Sequence, residues 1–198
     1  MGTHLVVIGA SLGGLKALHV ILPVIPNYFH AALVIVLHCE KVDRGDLISL
    51  LSTYCVLPVT FPLDKEVIMP GHVYVAPPNY HLFVEGDHFA YSVDAPADYF
   101  RPAINVLFES AASACRKDVT GIILTGTRTD GARGLAAISL HGGQVFVQSP
   151  EEAYAPELPR AALALVPNAP QLTLKEIGMK LANSYSCGIA ERKARHHD

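Results

Sequence analysis

Strand-like runs recur along the chain at Leu5–Ile8, Ala32–Leu37, Val73–Ala76, Gly121–Thr125 and Gln144–Gln148, and the first two and last two read as continuous rather than alternating apolar stretches. Continuous runs are the mark of strands buried on both faces. Between them lie segments with helical spacing: Leu15–Leu22, Asp46–Tyr54, Arg101–Arg116 with Ile104, Leu107, Phe108 and Ala111 on one face, and Gly131–His141. Strand and helix alternate, so the pattern predicts an α/β fold, a doubly wound, mainly parallel sheet with helices on both faces. The rhythm changes around residues 71–94, where short strands are broken by Pro77-Pro78-Asn79 and by Glu85-Gly86-Asp87, predicting a β-hairpin excursion. The following DAPADYF (Asp94–Phe100) reads as a polar surface connection, with a loop folded over a site as the other reading. Residues 1–185 read as one domain and 186–198 as a polar tail.

Composition narrows the function classes. With 198 residues, 51% hydrophobic and 17% charged, the chain can bury a large core. A formal net charge of −3 gives no electrostatic ground for nucleic acid or an anionic membrane as partner. The longest apolar runs, such as Ala31–Leu37, are far short of a membrane span, and no basic, hydrophobic leader opens the chain. The expectation is a cytoplasmic protein without membrane insertion. Four cysteines (Cys39, Cys55, Cys115, Cys187) show neither C-x-x-C nor a metal-ligand spacing and read as reduced thiols. The His196-His197 pair has a metal-binding reading, with solvated terminal side chains as the plainer one.

Candidate chemistry begins in LVVIGASLGGLKAL (Leu5–Leu18), a buried strand, a tight turn and a helix. Such turns hold a phosphate on helix N–H groups or display a nucleophile. In the dinucleotide fingerprint G-x-G-x-x-G the second glycine lets a pyrophosphate touch the backbone, and here that position is Ser11. Glu40, near the end of the second strand, keeps the nucleotide reading open as a ribose-binding acid. Gly9-Ala10-Ser11-Leu12-Gly13 matches the nucleophile turn G-x-S-x-G, with N–H groups near Leu12 and Gly13 at the positive end of a helix able to stabilise an oxyanion. A serine needs a base, and the base a carboxylate.

In a parallel sheet these partners should follow other buried strands at the same edge. His38 does so at the end of ALVIVLH, and Asp130 lies in the turn of GIILTGTRTDGARGL. A structural histidine and a helix N-cap are the plainer readings of the two, and the aspartate can serve both as cap and as acid.

With these residues in place, the chain resembles the catalytic domain of the CheB-type chemotaxis methylesterases, which remove methyl groups from glutamate methyl esters on bacterial chemoreceptors. The resemblance rests on VVIGASLGGLKAL, the VLH strand end, PGHVYVAPPNYHL, FRPAINVLFESAA and GIILTGTRTDGARGL followed by HGGQVFVQ, over roughly residues 4 to 165. It implies Ser11 as nucleophile, His38 as base and Asp130 as orienting acid, with no metal or cofactor. It also implies methylated cytoplasmic segments of chemoreceptors as partner, with glutamine deamidation as a further activity. His81 matches a second histidine that lies near the family's site. The chain departs from the usual family residues at Leu12 (threonine), Thr127-Arg128 (Met-Gly), Ala103-Ile104-Asn105 (S-V-D) and Glu157-Leu158-Pro159 (G-M-P). Leu12, Thr127 and Arg128 favour the alternative of a non-catalytic receptor-binding relative. The family commonly carries an N-terminal phosphorylatable receiver domain, whereas here the match begins at residue 4. If the chain is the whole protein, the expectation is activity not gated by aspartyl phosphate within it.

Overall fold

The computed structural model describes residues 3–38 and 44–186. In chain order these form β1 (His4–Ala10), α1 (Gly14–Ile21), β2 (Ala31–Leu37), α2 (Arg44–Tyr54), β3 (Val59–Thr60), β4 (Val73–Val75), β5 (His81–Glu85), β6 (His88–Ser92) and α3 (Ile104–Cys115). They continue with β7 (Val119–Ile123), α4 (Ala132–Leu140), β8 (Gln144–Gln148), α5 (Glu157–Leu165), β9 (Gln171–Leu172) and α6 (Leu174–Tyr185). Seven strands make one sheet in the order β3-β4-β2-β1-β7-β8-β9, and every pairing within it is parallel. This is the doubly wound α/β class expected from the pattern.

The continuous apolar runs are explained by burial on both sides. In β1, Leu5 and Val7 point into one apolar layer while Val6, Ile8 and Ala10 point into the other, and β2 divides in the same way. Helices α3, α4 and α5 cover the first face through residues such as Leu107, Leu135 and Leu158. Helices α1, α2 and α6 cover the second through Leu18, Leu51 and Ile177. Each such fully buried aliphatic side chain contributes about 1.5–3 kcal/mol, and β1, β2 and β7 are buried along nearly their whole lengths.

The hairpin is narrower than the 71–94 expected. Val73–Val75 joins the main sheet as β4, and the excursion proper is β5 paired antiparallel to β6, turning at Gly86-Asp87. It packs on α3, with the Val84 N–H donating to Ser110 Oγ at 3.1 Å. Helices α5 and α6 and the two-residue strands β3 and β9 lie beyond the elements read from the sequence. Ser186, placed at the start of the expected tail, bridges to Phe29. Cys39, Glu40, Cys187, His196 and His197 lie outside the described residues. Among the described residues, no helix is long and apolar enough to cross a membrane.

Candidate active site

The register of the three central strands brings distant residues to one edge. Ala10 pairs with Leu37, and Gly9 with Ile123, so Ser11, His38 and Leu124 emerge next to one another at the carboxyl ends. The His38 N–H donates to Ala10 O at 3.0 Å, and the Ser11 N–H to Thr125 O at 3.0 Å. The chain winds outward from β1 through β2 on one flank and returns to β7 on the other. Between β1 and β7 it therefore leaves the crevice in which open α/β sheets bind their ligands.

Both glycines of the Gly9–Gly13 turn are required by close approach. A Cβ on Gly9 would lie 2.4 Å from Ile104 Cγ2. Gly13 has φ +86°, and a Cβ there would lie 2.9 Å from Tyr154 Cβ. The Gly14 N–H closes the turn on Ser11 O at 2.8 Å. Among the described residues nothing accepts from the N–H groups of Leu12 and Gly13, which stand at the N-terminus of α1. Thr125, a residue not singled out from the sequence, pins this turn. Its Oγ1 donates to Leu12 O at 2.9 Å and accepts from the Ala155 N–H at 2.9 Å. Its own N–H donates to Gln148 Oε1 at 2.7 Å.

His38 Nε2 lies 3.2 Å from Asp130 Oδ2 and 3.2 Å from Pro102 O, with the two side chains 7% and 2% exposed. A carboxylate and a proline carbonyl only accept, so Nε2 carries the proton and Nδ1 the lone pair of the neutral ring. Phe100 stacks on the imidazole at 3.7 Å between centroids and 9° between planes. The DAPADYF connection therefore does fold over the site.

Asp130 caps a helix, but not the one that follows it. Oδ2 accepts from the Ile104 N–H at 2.7 Å and Oδ1 from the Asn105 N–H at 2.9 Å, the first two residues of α3. Asn105 returns the arrangement: its Oδ1 accepts from the N–H groups of Gly131 at 3.0 Å and Gly134 at 2.8 Å, at the start of α4. Its Nδ2 donates to Asp98 Oδ2 at 2.7 Å, which also receives Arg133 at 3.1 Å. Asn105 thus fastens the loop carrying Phe100.

A cavity of about 770 Å³ opens at this edge, lined by Ser11, Leu12, His38, Tyr99, Phe100, Thr127, Arg128 and Tyr154 among others. Asp130 lies behind His38 rather than in the wall. Of the three candidates, His38 and Asp130 are in direct contact and Ser11 shares the cavity with His38. The departures Leu12, Thr127 and Arg128 are all in the wall. His81 is not: it is 2% exposed at the start of β5, its Nε2 3.1 Å from Ala95 O, beneath the same loop. Cys55 and Cys115 are free thiols whose pKa burial pushes up, which disfavours thiolate chemistry at either. Among the described residues no cluster of three or more His, Cys, Asp or Glu side chains could hold a metal ion.

The chain is similar to the crystal structure of the Thermotoga maritima CheB methylesterase catalytic domain, with a TM-score of 0.87 at 28% identity, over 93% of this chain and 100% of that one. A Leptospira interrogans protein provisionally named protein-glutamate methylesterase/protein-glutamine glutaminase is 40% identical over 164 residues, covering 82% of this chain and 85% of that protein. Protein-glutamate methylesterase/protein-glutamine glutaminase 3 of Pseudomonas aeruginosa is 34% identical over 183 residues. That alignment covers 92% of this chain, which spans about half, 55%, of the Pseudomonas relative. The sequence profile of CheB methylesterase matches residues 6–181. The chain belongs to the CheB methylesterase family.

Proposed function

We propose that the chain is a protein-glutamate methylesterase that hydrolyses glutamate γ-methyl esters in the cytoplasmic segments of bacterial chemoreceptors, and deamidates glutamine there by the same route. The observation that carries this reading is the 3.2 Å contact that Asp130 Oδ2 makes, from behind the wall, with Nε2 of His38, which lines the same cavity as Ser11. Nδ1 of His38 takes the hydroxyl proton as Ser11 Oγ attacks the ester carbonyl, and the developing imidazolium is stabilised by Asp130. The Leu12 and Gly13 N–H groups, free of protein acceptors among the described residues, receive the oxyanion. The tetrahedral intermediate collapses, His38 returns the proton to the departing methoxide, and methanol leaves. Water then attacks the acyl-serine, giving its proton to His38, and glutamate is released with Ser11 restored. With glutamine the leaving group is ammonia.

Methanol release from methylated receptor fragments tests this directly. Ser11→Ala is expected to lower turnover by about 10⁴-fold or more, because the covalent route is removed. Wild-type turnover in that variant would eliminate Ser11 as nucleophile, and absence of methanol release from the wild type would leave a receptor-binding relative.

A further inference from the structure

The described lining of the cavity carries unbalanced charge. Among the described residues lining it none is acidic, while Lys16 and Arg128 are both present. Neither forms an ion pair among the described residues. Each is held over an aromatic ring instead, Lys16 Nζ at 5.8 Å from the Tyr154 centroid and the Arg128 guanidinium carbon at 5.0 Å from that of Tyr99. Those rings are 70% and 84% exposed, so they serve the cations as platforms at the cavity mouth rather than as core. Of the described carboxylates nearby, Asp98 is engaged with Asn105 and Arg133, and Glu152 with Gln148 and the Leu174 N–H. Arg128 also holds φ +66°, a conformation that strains a non-glycine residue and persists only where the surroundings impose it.

A glutamate γ-methyl ester is neutral and offers these cations nothing. We propose that Lys16 and Arg128 read carboxylates flanking the ester-bearing residue, so that the site selects an acidic polypeptide segment over an isolated ester. The proposal rests on the methylesterase reading for the identity of the central residue. It is tested by binding alone, which keeps its failure separate from failure of that reading.

The probes are fluorescent peptides in which the methyl ester is replaced by its ethyl ketone isostere, CH2 standing for the ester oxygen, flanked by glutamate, glutamine or lysine. Fluorescence anisotropy at low salt is expected to show the glutamate-flanked peptide binding the wild type roughly fivefold tighter than the glutamine-flanked one, the scale of two solvent-exposed charge pairs. The ratio should shrink toward one at about 0.5 M salt, where screening is short-ranged. It should also shrink toward one in the K16Q/R128Q double variant. In K16E/R128E the preference should pass to the lysine-flanked peptide, a result that unfolding cannot mimic. Equal wild-type affinity for the glutamate- and glutamine-flanked peptides overturns the proposal, as does a preference that survives intact in K16Q/R128Q. Methanol release from the corresponding ester peptide is assayed in parallel and bears on the esterase reading only.

Discussion

At Asp130 one carboxylate meets three donors: the Ile104 and Asn105 N–H groups and His38 Nε2. Its removal should therefore register in two measurements that Ser11→Ala separates. Ser11 is only half-buried, and its hydroxyl makes no hydrogen bond among the described residues. Ser11→Ala should thus leave stability within about 0.5 kcal/mol of wild type. Asp130→Ala strips the first two N–H groups of α3 of their acceptor inside a buried site, which costs about 2–4 kcal/mol in urea unfolding. In the proposed mechanism it also lowers methanol release by about 10³–10⁴-fold, as loss of the orienting acid does in serine hydrolases. Unchanged stability would contradict the capping role, and full turnover would remove the residue from the chemistry.

Helices α3 and α4 cap each other, a relation that no local sequence pattern carries. Asp130 was readable as an acid and as a cap, because it sits in a turn before a helical run. The helix it caps was not readable, since the donors lie 25 and 26 residues earlier and only the packing of α3 against α4 brings them near. Phe100 over His38 is hidden for the same reason. Helix α6 did carry a local signal, the Thr173-Leu174-Lys175-Glu176 capping box seen in the structure, whereas β3 and β9, two residues each, are too short for any periodicity.

The mutual capping makes Asn105 testable. N105A should cost about 2–3 kcal/mol, because the Gly131 and Gly134 N–H groups lose their acceptor in a buried site. N105D keeps that acceptor but loses the donor to Asp98, so it should cost less. It should also raise hydrogen exchange in residues 94–100 with the two carboxylates facing each other. Equal stability loss in both variants would mean that the acceptor is not what matters.

Across the whole molecule, the strands buried on both faces and three residues at one sheet edge could be read from sequence, because continuous apolar runs and strand-end positions are local. What joins the first strand to the last helix is not local. His4 Nε2 lies 3.1 Å from Thr120 Oγ1 and 2.8 Å from the Tyr185 hydroxyl, which is itself 2.6 Å from Thr120 Oγ1. This cluster ties β1 and β7 to the end of α6, whose Ile177 and Leu181 are buried on the α1 face. Burial holds His4 below its ordinary value of 6.5, partly offset by the charge of Asp118. Above pH 6.5 the ring is mainly neutral folded or unfolded, and its environment carries no penalty. As pH falls below 6.5 the unfolded chain takes up a proton that the folded one resists, so stability is lost until the pH passes the folded value. Urea midpoints measured from pH 7.5 to about 5.5 should therefore fall more steeply for the wild type than for His4→Gln, which cannot titrate. Parallel curves would mean that the ring titrates alike in both states, and that the clasp between the two ends of the fold does not depend on its charge.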